Sequence, residues 1–246
     1  MAVFVLVHPA WFGGWCWKKL VPLLEERGHS VRTPTLTGLG ERSHLAHPGI
    51  VIQTHIDDVT SVLTNDDLRE VILAGTSSSG AVISGVADRA PERISQLVYV
   101  DAFVPDDGQA VIDLIPPQRR PAMEALVEAE GFGWLLPRFA AQPWEPFVRQ
   151  AWQVADEADL RWMLARLRPT PFGHFTSPVR LVNPAAERLP RTYIRCRGFP
   201  HPGFDRYAQA ASQDRRWRLF QLESNHLPYI TSPRELAPML LELAAG

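Results

Sequence analysis

Cysteine is scarce in this chain. Of its 246 residues only Cys16 and Cys196 are cysteines, far apart and without metal-type spacing, which excludes a disulfide scaffold and argues against a zinc site. A large charge of either sign is also missing: 25 basic residues face 27 acidic ones, for a formal net charge of −2. The basic residues are scattered apart from short runs such as Arg215-Arg216, which excludes the electrostatic footprint of a nucleic-acid binder. No run approaches the roughly 20 apolar residues that span a bilayer. The N-terminal run Val3 to Val7 is too short for a secretory core and lacks a basic flank. Two thiols and no leader suit a reducing compartment, so a cytoplasmic setting is expected, with no membrane and no nucleic acid among its partners. There is no internal repeat and no low-complexity tract.

What is present is a 46% hydrophobic chain, long enough for one sizeable core. Val3-Phe4-Val5-Leu6-Val7 reads as a strand buried on both faces. From Trp15 to Arg27, apolar residues at helical spacing end at Gly28, as at a helix C-terminus. Ser30 to Leu36 reads as a strand, Ile56 to Leu63 as a helix, Val71 to Ala74 as a strand, Gly80 to Ala90 as a helix and Leu97 to Val100 as a strand. The same rhythm resumes with strand Thr192 to Cys196, helix Phe204 to Ser212, strand Trp217 to Leu222 and helix Pro233 to Ala244. Alternation of this kind predicts an α/β fold, a mostly parallel sheet with helices on both faces. Between residues 105 and 189, closely spaced prolines interrupt pieces rich in Trp and Phe, which predicts an inserted lid of short helices. The catalytic core is then residues 1–104 and 190–246.

Gly75-Thr76-Ser77-Ser78-Ser79-Gly80 follows an apolar strand and opens a helix-like segment. It reads as a nucleophile elbow, in which small neighbours let a strained Ser77 project its hydroxyl into a pocket. Three serines in a row are also ordinary loop composition, so the partners have to decide. A serine needs a base to take its proton, and the base needs a carboxylate to hold its tautomer. His226 lies after strand Trp217 to Leu222, where such a fold presents an imidazole. After strand Thr192 to Cys196 no carboxylate occurs until Asp205, which already begins a helix. Asp101 ends the strand Leu97 to Val100, 24 residues after Ser77, and shares the sheet edge that carries ligands in open α/β sheets. Asp101 is therefore the expected acid; the alternative is an Asp capping the following loop. The expected oxyanion donors are the backbone N–H groups of Ser78 and Ala10, since Pro9 has none. His8 is expected to brace that loop. Among the aromatic residues, Trp11, Phe12 and Trp134 are expected to line the substrate pocket.

The segments from His8 to Trp17, from Gly75 to Gly80, and Asn225-His226 together resemble the α/β-hydrolase group that includes plant methyl-salicylate and methyl-jasmonate esterases, hydroxynitrile lyases and bacterial esterase-like relatives. The segments Thr35 to Arg42 and Asp101 to Pro105 resemble the bacterial branch in particular. The resemblance implies a small lidded pocket, no cofactor, no metal, and cleavage of a small apolar or aromatic carboxylic ester through an acyl-enzyme. A homodimer is compatible with it. Three positions depart from the group's pattern: Pro9 where Gly is usual, Thr76 where His is frequent and Ser79 where Gly is usual. The plant members also carry their acid at the place of Arg197, whereas Asp101 resembles the placement in certain haloalkane dehalogenases. Two other functions stay open: a C–C lyase or cofactor-free enzyme on an aromatic substrate using the same His base, and a non-catalytic binding protein of this fold. The lyases use a lid lysine, while the lysines here are Lys18 and Lys19.

Overall fold

The computed structural model describes residues 1–139 and 143–245; residues 140–142 of the inserted segment and Gly246 lie outside the described part. Among the described residues, six strands form one parallel sheet in the order β2-β1-β3-β4-β7-β8. They are β1 (Val3–Val7), β2 (Ser30–Arg32), β3 (Val71–Ser77), β4 (Ile94–Ala102), β7 (Arg191–Cys196) and β8 (Trp217–Leu222). Two short strands, β5 (Leu135–Leu136) and β6 (Thr170–Pro171), pair antiparallel inside the insertion. The central strands are apolar on both faces because helices cover both: Phe4 to Val7 and Val71 to Ala74 are buried throughout. Each such Val, Leu or Ile contributes about 1.5–3 kcal/mol by leaving water.

Helices α1 (Val21–Glu25), α2 (Ile52–Asn65) and α3 (Ser79–Arg89) connect the first strands. The insertion between β4 and β7 carries α4 (Val111–Leu114), α5 (Arg120–Glu130), α6 (Trp144–Gln150), α7 (Glu157–Leu164), α8 (Gly173–Thr176) and α9 (Pro184–Glu187). After β7 come α10 (Pro202–Gln213), α11 (Pro228–Thr231) and α12 (Pro233–Ala245).

Three elements differ from the sequence-based expectation, each for a local reason. The single helix expected from Trp15 to Arg27 is a 3₁₀ turn, Gly14–Trp17, followed by α1. Pro22 sits in the first turn of α1, where its missing N–H is harmless, whereas inside a longer helix it would remove a hydrogen bond and clash with the preceding turn. Strand β2 stops at Arg32 rather than Leu36, since Pro34 cannot donate to the ladder. The insertion contains the β5–β6 ladder as well as short helices.

Strand order reverses between β1 and β3, because the chain leaves β1 toward β2 on one side and returns to β3 on the other. In open parallel sheets the crevice at such a point, beyond the carboxyl ends of the strands, is where ligands sit. The loops after β1, β3, β4, β7 and β8 all open there.

Candidate active site

Ser77 ends β3 with φ of +53°, a left-handed conformation that is costly for a residue with a Cβ. Its surroundings explain how the turn is held. A Cβ on Gly75 would come within 2.9 Å of Ile83 and of the Ser79 carbonyl, and one on Gly80 within 2.0 Å of the Phe103 carbonyl. Only glycine lets α3 start so close to β4. Ser79, the position where Gly is usual, is fully buried and its hydroxyl is used: Oγ accepts from the Thr76 N–H at 2.8 Å and lies 2.8 Å from the carbonyls of Val7 and Thr76. The departure thus cross-ties the elbow to β1. Ser77 itself is partly exposed, and its hydroxyl has no hydrogen-bond partner among the described residues.

Asp101 has a comparable backbone, φ +46°. The β3–β4 ladder slips between Thr76↔Val100 and Ser77↔Ala102, leaving Asp101 as the extra residue of a bulge. Bulges beside sites re-aim a side chain, and this one faces residues brought by β7 and β8. Asp101 is wholly buried. Its Oδ2 accepts from His226 Nδ1 at 2.9 Å. Its Oδ1 accepts from the Cys196 N–H at 3.1 Å and from Arg195 at 2.7 Å. His226 follows β8 and stacks on Phe199, with centroids 4.5 Å apart, and on Phe204 at 5.4 Å. With Nδ1 donating to the carboxylate, Nε2 is left as the basic nitrogen.

Ser77 and His226 line one cavity of about 280 Å³. Its walls are aromatic, from Trp11, Phe103, Phe139, Trp152, Phe199 and Phe204, with Arg119, Gln150, Gln153 and His201 as polar groups. Burial pushes the His201 imidazole down to about 4, with the neighbouring His226 acting in the same direction, so near neutral pH it adds no charge to the cavity. Trp11 (φ +68°) is stitched to the insertion. Its N–H donates to Thr170 Oγ1 at 2.7 Å, its indole to the Leu136 carbonyl at 3.1 Å, and its carbonyl accepts from the Arg168 N–H at 3.0 Å.

Phe12 and Trp134 do not join the cavity. Phe12 is 1% exposed and packs behind it, stacked on Trp15 at 5.3 Å. Trp134 lies in the turn before β5, where its carbonyl accepts from the Phe172 N–H at 2.7 Å.

The Ala10 N–H is occupied: it donates to the Ser78 hydroxyl at 2.9 Å. Ser78 is also the N-cap of α3, the position where helix N–H groups lack internal partners. His8 is buried. Its Nε2 accepts from the Leu36 N–H at 3.0 Å while Nδ1 lies 2.8 Å from the Pro9 carbonyl, which is the neutral tautomer with its proton on Nδ1. Burial lowers its pKa to about 4.

Arg195 is the member of this site that sequence reasoning missed. The available signal was a cation in an otherwise apolar or neutral strand end, Thr192-Tyr193-Ile194-Arg195-Cys196. Phe103 and Phe199 were likewise legible only as core or loop residues, whereas Phe139 and Trp152 were legible as candidate pocket aromatics of the insertion.

With parallel sheet, elbow and imidazole–carboxylate pair described, the class follows. The alpha/beta hydrolase family's sequence profile matches residues 4–239, and the chain belongs to that family. Among curated relatives, it is 34% identical to the carbendazim hydrolyzing esterase of Nocardioides sp., over 99% of this chain and 100% of that one. It is 27% identical to methylesterase 2 of Arabidopsis thaliana, over 98% of this chain and 95% of that one. An extracellular alpha/beta-hydrolase from a Paenibacillus species superposes with a TM-score of 0.84 at 24% identity, over 98% of both chains, a likeness of fold.

Proposed function

We propose that this chain is a serine hydrolase acting on a small, apolar or aromatic carboxylic ester. Ser77 Oγ attacks the ester carbonyl. His226 Nε2 takes the serine proton, then returns it to the leaving alcohol. Asp101 holds the imidazole by its Nδ1–H and stabilises the imidazolium, without itself being protonated. The N–H groups of Ser78 and Ala10 receive the oxyanion once the Ser78 hydroxyl has swung off Ala10. Water, activated by the same imidazole, then attacks the acyl-enzyme and frees the acid and Ser77.

The observation that carries this reading is the 2.9 Å contact of His226 Nδ1 with a fully buried Asp101, His226 lining the same cavity as Ser77. Relatives named as esterases along the whole chain support it. Six aromatic walls in a cavity of about 280 Å³ favour a compact aromatic ester over a long acyl chain. The segment 105–189 serves as the lid, contributing Arg119, Phe139 and Trp152 to the cavity. Two buried, unbridged thiols support a reducing, cytoplasmic setting. Neither lysine lines the cavity, and Lys19 is paired with Asp159, which weighs against a lyase built on a lid lysine.

The test is turnover of a panel of aryl, methyl and lactone esters by the protein and by Ser77→Ala. Turnover of short aryl esters should fall by at least about 10³-fold in the variant, in line with loss of a triad nucleophile. Unchanged turnover would rule the proposal out.

A further inference from the structure

Asp101 is shared among His226, the Cys196 N–H and Arg195, and the last of them is a permanent cation. Arg195, next to last in β7, has a side chain only 5% exposed. One terminal nitrogen donates to Asp101 Oδ1 at 2.7 Å and to the Cys196 carbonyl. Nε donates to Asp205 Oδ1 at 2.8 Å, and the other terminal nitrogen to the Phe199 carbonyl at 2.7 Å. The guanidinium therefore joins the acid, the strand end, the loop that stacks on His226, and α10. Its place follows from the ladder: the last β4–β7 pair is Val100↔Ile194, and Asp101 and Arg195 are the next residues on each strand.

A carboxylate taken wholly out of water is costly unless paired, and a carboxylate held by a cation is a weaker partner for a second cation. The first effect fixes Asp101 as an anion with one oxygen aimed at His226. The second offsets part of the field that favours the imidazolium. On the triad reading given above, we propose that Arg195 is a positioning residue of the reaction, locking Asp101 for His226 and sharing the carboxylate's charge between guanidinium and imidazole.

Other groups around the pair are few. Tyr193 and Cys196 come from β7, and burial raises both, Asp101 adding to the effect, so they stay neutral. His201 is neutral as described, Asp205 approaches from α10 with 63% of its side chain exposed, and Arg119 stands on the cavity wall. Arg195 is the cation in direct contact with the carboxylate.

The experiment is the pH dependence of inactivation by a fluorophosphonate probe, which requires no knowledge of the natural substrate. In Arg195→Gln the acidic limb should move up by roughly one pH unit, because the carboxylate then acts on the imidazole alone. Its plateau should fall about tenfold from looser alignment. Arg195→Lys, which keeps the charge but not the fork, should return the limb to its original place while the plateau stays low. Asp205→Asn changes an exposed residue and leaves the core intact. It should move the limb down by a few tenths of a unit, since more of the guanidinium charge then falls on Asp101 and an anion is lost. A limb that stays put in both Arg195→Gln and Asp205→Asn would make Arg195 structural only and overturn the proposal. Asp205→Asn decides alone if Arg195→Gln does not fold. Ser77→Ala, run alongside, should take no label; labelling with the same limb would sink the triad reading beneath the proposal.

Discussion

Three residues with side chains hold left-handed backbone at the carboxyl ends of neighbouring strands: Trp11 after β1, Ser77 on β3 and Asp101 on β4. Strain of this kind costs on the order of 1–3 kcal/mol per residue and persists only where the surroundings enforce it. Here they do, through Thr170 on Trp11, Gly75 and Gly80 around Ser77, and the bulge at Asp101. Ser78 belongs to the same scale. Its hydroxyl satisfies the buried Ala10 N–H at 2.9 Å, the donor assigned to the oxyanion. Ser78→Ala leaves that N–H unpaired in the free protein, costing about 1–3 kcal/mol, and pairs it again only as the oxyanion forms. We therefore expect a lower melting temperature together with a several-fold higher kcat/KM on aryl esters. A tenfold drop in kcat/KM would instead make the hydroxyl itself the donor.

Residue-level legibility divided along these lines. Ser77, Asp101 and His226 were nameable because each follows an apolar strand, and strand ends are what the hydrophobic period marks best. The role of Ser79 was not legible, since a hydroxyl that bridges three backbone groups across two strands leaves no local trace. Arg195 was hidden by the same non-locality: its partners lie on β4, on α10 and in the loop after β7, and no window of sequence contains them.

Among elements, the strands of the main sheet could be read because a parallel sheet covered on both faces needs continuous apolar runs. The insertion could be recognised by its prolines but not resolved, because its packing depends on tryptophans meeting across large separations, such as Trp11 with Trp144 at 5.5 Å. Phe12 and Trp134 were misplaced for that reason. The insertion is fastened to the β1 loop by Trp11 and, farther out, by the Lys19–Asp159 ion pair. Thr170, fully buried on β6, carries the tie that also sets the strained loop bearing Ala10. Thr170→Val keeps shape and removes the acceptor. It should lower kcat about tenfold with little change in secondary structure by circular dichroism; an unchanged kcat would separate the insertion from the geometry of the site.

At the scale of the whole molecule, acid sensitivity is built into buried histidines. His55 Nε2 donates to the Thr37 carbonyl at 2.9 Å, so its Nδ1 must accept, and His174 Nδ1 donates to it at 2.9 Å. This single proton order ties the insertion to α2 and holds only while His55 Nδ1 carries no proton. Burial lowers His55 and His174, the latter well below the ordinary value, and takes His8 to about 4. A group lowered in the folded state stays neutral there while the unfolded chain takes up protons below about pH 6.5, so stability is lost as pH falls. Each histidine contributes a slope of up to about 1.4 kcal/mol per pH unit, reached below the unfolded pKa. Denaturant midpoints measured from pH 6.5 to 5, above the carboxylate range, should drop with a slope that steepens toward pH 5 as protons are taken up on unfolding, His201, also lowered to about 4, adding to the three buried rings. A flat profile would contradict neutral burial of the three rings.

The central claim is that Ser77 is an activated nucleophile served by His226 and Asp101. The most direct measurement is reaction with a fluorophosphonate probe followed by peptide mapping. One phosphonyl group should be found on Ser77, with the labelling rate reduced at least about 10³-fold in His226→Ala and the adduct absent in Ser77→Ala. A chain that takes no label, or takes it on another residue at a rate indifferent to His226, would contradict the account.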